Sequence, residues 1–184
     1  RLYAPLVNEA GLLSWTSPRL QGGPASSHHE PLSPPLTAED LPHTLIHRDV
    51  WIVLPDREPF ALSGFSNPSP SRIEAGPGWF TLLRKTPDGR VAIRSTLWCP
   101  ADLNAMVELM WVQVTNTFSR RLTFDAYAAI PVFARSADNI RDHRHVTALL
   151  HRVGIGRHGV TVVPAMSPRA RVASFWRSPT GEHD

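Results

Sequence analysis

The 184-residue chain has a single cysteine, Cys99, which excludes an internal disulfide and any cysteine-based zinc site. It has no apolar run of about eighteen residues that would span a bilayer as a helix. Its N-terminus lacks a basic start followed by an apolar signal core. Charge of one sign is also scarce. A formal net charge of +3, with basic residues scattered except around residues 135–157, is too little to mark a nucleic-acid surface. No glycine-rich phosphate loop and no G-x-S-x-G nucleophile elbow occur, and GIGRHG at 154–159 reads as a turn. Internal repeats, coiled-coil heptads and low-complexity tracts are absent as well. The expectation is a soluble, cytoplasmic chain with neither membrane nor nucleic acid as partner.

Proline, by contrast, is abundant. Eighteen prolines spread over the whole length interrupt most candidate helices, because proline removes a helical hydrogen bond and clashes with the preceding turn. Hydrophobic residues make up 42% and charged residues 19%, a globular composition long enough for one domain with a sizeable core. The expected fold is all-β, with about ten strands forming a sandwich of antiparallel sheets. Residues 1–15 read as strand, turn at Asn8 to Gly11, strand, and residues 16–44 as a long, irregular loop. Strands follow at Val50 to Leu54, Phe60 to Leu62, Trp79 to Lys85 and Val91 to Trp98, the last two joined by the hairpin signal TPDG. Ala105 to Asn116 is apolar on both alternating faces, which predicts a strand covered on both sides and Trp111 in the core. LTFDAYAAIPVF is expected to fold back on it as a long hairpin. Further strands are expected near Val146 to Val153, Gly159 to Pro164 and Arg171 to Trp176. The start at Arg1 and the end at SPTGEHD suggest a fragment.

Residues 134–152, ARSADNIRDHRHVTALLHR, place seven arginines and histidines and two aspartates in nineteen positions. On a strand His143 and His145 project from one face, with Asp138, Asp142 and His151 as possible further metal ligands. Arg141 and Arg144 would repel a cation, so no metal is expected. Asp138 and Asp142 as a catalytic carboxylate pair compete with plain ion pairing to the flanking arginines. Two readings of the segment remain open: a solvated, self-paired loop, or a polar surface for a hydroxyl-rich or anionic partner. Guanidinium groups suit the second, because they bond vicinal hydroxyls, carboxylates or phosphate in bidentate fashion. The six tryptophans suit sugar stacking, although burial is the commoner use of an indole; Trp15, Trp79 and Trp98 fit either reading.

The run AAIPVFARSADNIRDHRHVTALLHR resembles the N-terminal domain of family 94 glycoside phosphorylases, most closely the 1,2-β-oligoglucan phosphorylase branch. PLVNEAGLLS near the start and PLTAEDL resemble the same branch, so the similarity extends from about residue 2 to residue 165. It is specific in RSADNIRDHRHVT and loose between residues 20 and 100. The resemblance implies a β-supersandwich that precedes a helical linker and a catalytic (α/α)6 barrel. The barrel's aspartic acid protonates the glycosidic oxygen while inorganic phosphate attacks the anomeric carbon, releasing α-glucose 1-phosphate with inversion. It further implies a homodimer, a β-linked glucooligosaccharide as substrate, phosphate as co-substrate and no resident cofactor. No catalytic residue is then expected within this chain, which is expected to be inactive alone. Arg135, Asp138, Asn139, Arg141, Asp142, His143, Arg144 and His145 become candidates for the substrate side or the dimer interface. The alternatives are a stand-alone carbohydrate-binding or interaction module and a piece of a cyclic-glucan synthase-like transglycosylase, since fold alone does not fix function.

Overall fold

A computed structural model describes residues 3–27, 30–66, 68–133, 151–164 and 173–176, and every regular element among them is a β-strand. Strands β1 (Ala4–Val7) and β2 (Leu13–Thr16) pair antiparallel, as the opening segment predicts. Asn8 holds their turn: its side-chain oxygen accepts from the Leu12 amide at 3.1 Å and its carbonyl from the Gly11 amide at 3.2 Å. The stretch read as an irregular loop contains two short strands, β3 (Ala25–Ser27) and β4 (Glu30–Pro31), which extend this first sheet. It is also more interior than its composition suggests. Leu20 and Gln21 are buried, and the Gln21 amide donates to the carbonyls of Leu41 at 2.7 Å and Thr44 at 3.3 Å.

Strand β5 (Asp49–Val53) pairs with β6 (Phe60–Ala61), close to the expected bounds. A strand the sequence did not announce, β7 (Ser71–Gly76), leads through Pro77 and Gly78 into β8 (Trp79–Lys85), and β9 (Val91–Trp98) follows at the bounds expected. The β8–β9 turn uses the residues of TPDG. The Gly89 amide donates to the Thr86 carbonyl at 2.8 Å, Gly89 takes φ +70°, and the Thr86 hydroxyl donates to Asp88 at 2.7 Å.

Strand β10 (Leu109–Asn116) and β11 (Asp125–Ala129) do not form the expected hairpin: β10 pairs with β9, and β11 with β5. The connecting segment is tied elsewhere. The Thr117 amide donates to the Arg90 carbonyl at 2.9 Å and its hydroxyl to the Gly89 carbonyl at 2.6 Å, so the chain anchors on the β8–β9 turn and crosses to another sheet. The resulting sheets run β10-β9-β8-β7 and β11-β5-β6. A further three-stranded sheet joins β12 (His151–Gly156), β13 (Gly159–Pro164) and β14 (Ala173–Trp176).

One apolar cluster unites the first three sheets, β1-β2-β3-β4, β10-β9-β8-β7 and β11-β5-β6. Phe80, Leu82, Ile93 and Leu97 from the inner face of the four-stranded sheet meet Leu6, Leu12, Leu20, Val50, Ile52 and Leu62 from the opposite side. Burial of this apolar surface is the main favourable term in such a sandwich. Among the described residues no helix is long and apolar enough to cross a membrane.

Candidate functional site

Phe133 and His151 are the described residues that flank the segment singled out by charge. Phe133 is buried, and its amide donates to the Leu32 carbonyl at 2.7 Å. The His151 Nε2–H donates to the Phe133 carbonyl at 2.9 Å, so the two ends meet in a hydrogen bond. Arg135, Asp138, Asn139, Arg141, Asp142, His143, Arg144 and His145 themselves lie outside the described residues.

Two polar clusters that sequence reasoning missed lie inside the sandwich. Arg48 is 2% exposed; it pairs with Glu108 and donates through Nη2 to the Trp15 carbonyl at 2.8 Å. Glu108 also accepts from the Ser14 hydroxyl. The neighbouring Asp49 carboxylate takes four donors: the Val50 amide at 2.8 Å, the Ser63 amide at 3.0 Å, the Ser63 hydroxyl at 2.6 Å and His47 Nε2 at 2.9 Å. Buried charges in natural folds are saturated in this way, which gives both clusters a structural use. Serine, histidine and aspartate meet here without the order of a catalytic triad, because Ser63 and His47 both bond the carboxylate.

Arg84 lies beneath the β8 face, where Nη1 donates to the carbonyls of Ala61 at 3.1 Å and Leu62 at 3.2 Å. Burial lowers its pKa; the Asp49 carboxylate opposes that shift and the Arg19 charge adds to it. Burial also pushes the Cys99 thiol up to about 12, helped by the Glu108 carboxylate and opposed by Arg48. That thiol is protonated and inert at neutral pH. Among the described residues no three His, Cys, Asp or Glu side chains gather as a metal site.

Among the described residues, the outer face of β10-β9-β8-β7 is an open surface that carries exposed indoles. Trp111 is 59% exposed rather than in the core, because it points to the outer face of β10, whereas the side chains of the inner face, Met110, Val112 and Val114, pack on the apolar cluster. Trp98 pairs across the strands with Trp79 on one side and Leu109 on the other, and Trp111 pairs with Thr96. The Thr96 hydroxyl lies 3.0 Å from that of Thr81, and Glu74 receives Arg72 at 2.9 Å and Arg94 at 3.6 Å. The signal was present in the sequence. W-x-T appears in β8, T-x-W in β9 and W-x-Q in β10, each placing an indole and a polar group on the same face of a strand.

No protein-family model matches the chain, and no curated protein matches it either.

Proposed function

We propose that the chain is the N-terminal sandwich domain of a family 94 glycoside phosphorylase acting on β-1,2-glucooligosaccharides, in a cytoplasmic homodimer. In this reading the acid and the phosphate pocket belong to the parent's barrel, and the chain alone turns nothing over. Residues 135–145 border the sugar side of that site or the subunit interface, where arginines bond vicinal hydroxyls and the interleaved aspartates hold them in place. The observation that carries the reading is the run RSADNIRDHRHVT, whose described flanks, Phe133 and His151, are bonded together at the base of an all-β fold.

Co-expression with the matching barrel and an assay of α-glucose 1-phosphate release from sophorooligosaccharides and phosphate test it. The complex is expected to be active, and R141E/R144E to lose most of that activity. An active complex indifferent to the double reversal would sink the role of the segment, and an inactive one the phosphorylase reading itself.

A further inference from the structure

The outer face of β10-β9-β8-β7 combines three indoles with polar neighbours. Trp79 is 38% and Trp111 59% exposed, and the half-buried Trp98 lies between them. By strand spacing, Trp79 and Trp111 stand about 12 Å apart, two strands across and two residues along. That is room for more than one sugar ring. The orientation of Trp79 is built in: a Cβ on Gly76 would lie 2.7 Å from its Cε2, so the absence of a side chain there lets the indole lie against the β7 backbone. Between and beside the indoles stand Thr96, Gln113 and Arg94, all on the same face.

From this arrangement we infer that the face is a binding platform for a neutral β-linked glucose chain, built from residues other than 135–145 and independent of the phosphorylase reading. The chemistry selects the occupant. A β-linked glucose ring carries its hydroxyls equatorially, so both of its faces present only C–H groups, which pack flat on an indole. Its rim of hydroxyls meets the Thr96 hydroxyl, the Gln113 amide and the Arg94 guanidinium. Charge complementarity points the same way. The carboxylate of Glu74 is bracketed by Arg72 and Arg94, so the ionic groups beside the indoles answer one another rather than a polyanion. A second copy of this chain would instead place these polar rows against each other.

The test uses tryptophan fluorescence and calorimetry of the 184-residue chain against linear β-1,2-, β-1,3- and β-1,4-linked glucose oligomers. Saturable binding of at least one is expected, weakened about tenfold by W111A. W111F is expected to keep the affinity within about threefold, because a stacking ring remains. G76A, which displaces Trp79 without deleting it, is expected to weaken binding, whereas Y127A on exposed β11 leaves it unchanged. Circular dichroism verifies that each variant folds. Failure of all three oligomers to bind at millimolar concentration overturns the proposal, as does binding indifferent to folded W111A. A change in sedimentation with W111A, without a change in sugar binding, would assign the face to self-association. Because no barrel or phosphate is present, these outcomes are separate from those of the phosphorolysis assay.

Discussion

His151 Nε2 donates a hydrogen bond of 2.9 Å to the carbonyl oxygen of Phe133, joining two described residues 18 positions apart in the chain. A carbonyl only accepts, so this contact fixes the proton on Nε2. On one side it borders buried Phe133, bonded to Leu32, and on the other the first residue of β12. H151A is therefore expected to cost about 0.5–1.5 kcal/mol, the usual net value of one hydrogen bond, and to lower Tm by roughly 2–4 °C. Amide exchange at Phe133 should quicken, whereas H151Q, which keeps a donor, should retain part of the protection. Unchanged exchange in H151A would show that the contact does not secure Phe133.

The Arg48–Glu108 pair carries a larger stake. Both partners are largely buried, at 2% and 9% side-chain exposure, and Glu108 also holds Ser14 of β2. Removal of either charge leaves the other unpaired in the interior, so R48M and E108Q are each expected to cost about 3–5 kcal/mol in urea unfolding. The double variant should be less destabilised than the sum of the singles by about 1–3 kcal/mol. Strict additivity would mean that the two charges do not act as a pair.

These contacts mark the boundary of what was legible in the sequence. Trp79 to Lys85, Val91 to Trp98 and Gly159 to Pro164 were readable because β-branched and aromatic residues alternate between clear turn signals. Strand β7, SRIEAG, carries little β propensity and lies among prolines, and it exists because β8 offers it a partner. The segment Ala105 to Asn116 misled for a different reason. Apolar residues on both faces predict double coverage, but whether a second layer lies over Trp111 is decided by strands distant in sequence. The pairing of β11 with β5 is long-range in the same sense, because the anchor of Thr117 on the β8–β9 turn is a tertiary contact. The same limit applies to Glu108, whose partners Ser14 and Arg48 are separated from it by 94 and 60 positions.

The β8–β9 turn gives a local test. Gly89 takes φ +70°, a region that costs an L-residue about 1 kcal/mol, and a Cβ there would meet no neighbour. G89A is thus a pure backbone substitution, expected to destabilise by about 1 kcal/mol in urea unfolding, whereas G89N, which tolerates the left-handed region, should lose less. Equal losses from the two would attribute the cost to something other than φ.

Cys99 provides a pH dependence with a definite sign. Its thiol is 5% exposed; burial first, and the Glu108 carboxylate second, push its pKa up to about 12, with Arg48 opposing. Below about pH 8.5, the ordinary thiol value, the folded and unfolded chains both keep the proton, and the contribution of the thiol to stability is intact. Between there and about 12 the unfolded chain loses its proton while the folded chain retains it, so that contribution is lost as pH rises. Relative to C99V, which has nothing to titrate at this position, the parent chain should therefore be equally placed at pH 7 and 8. It should then lose stability above pH 9, on the order of 1 kcal/mol per pH unit. Urea midpoints across the series measure it. Alkylation supplies a second readout: iodoacetamide at pH 8 should label Cys99 far more slowly in the folded chain than in urea. Rapid labelling of the folded chain, or a constant difference from C99V up to pH 10.5, would place the thiolate in water and rule out the burial that raises its pKa.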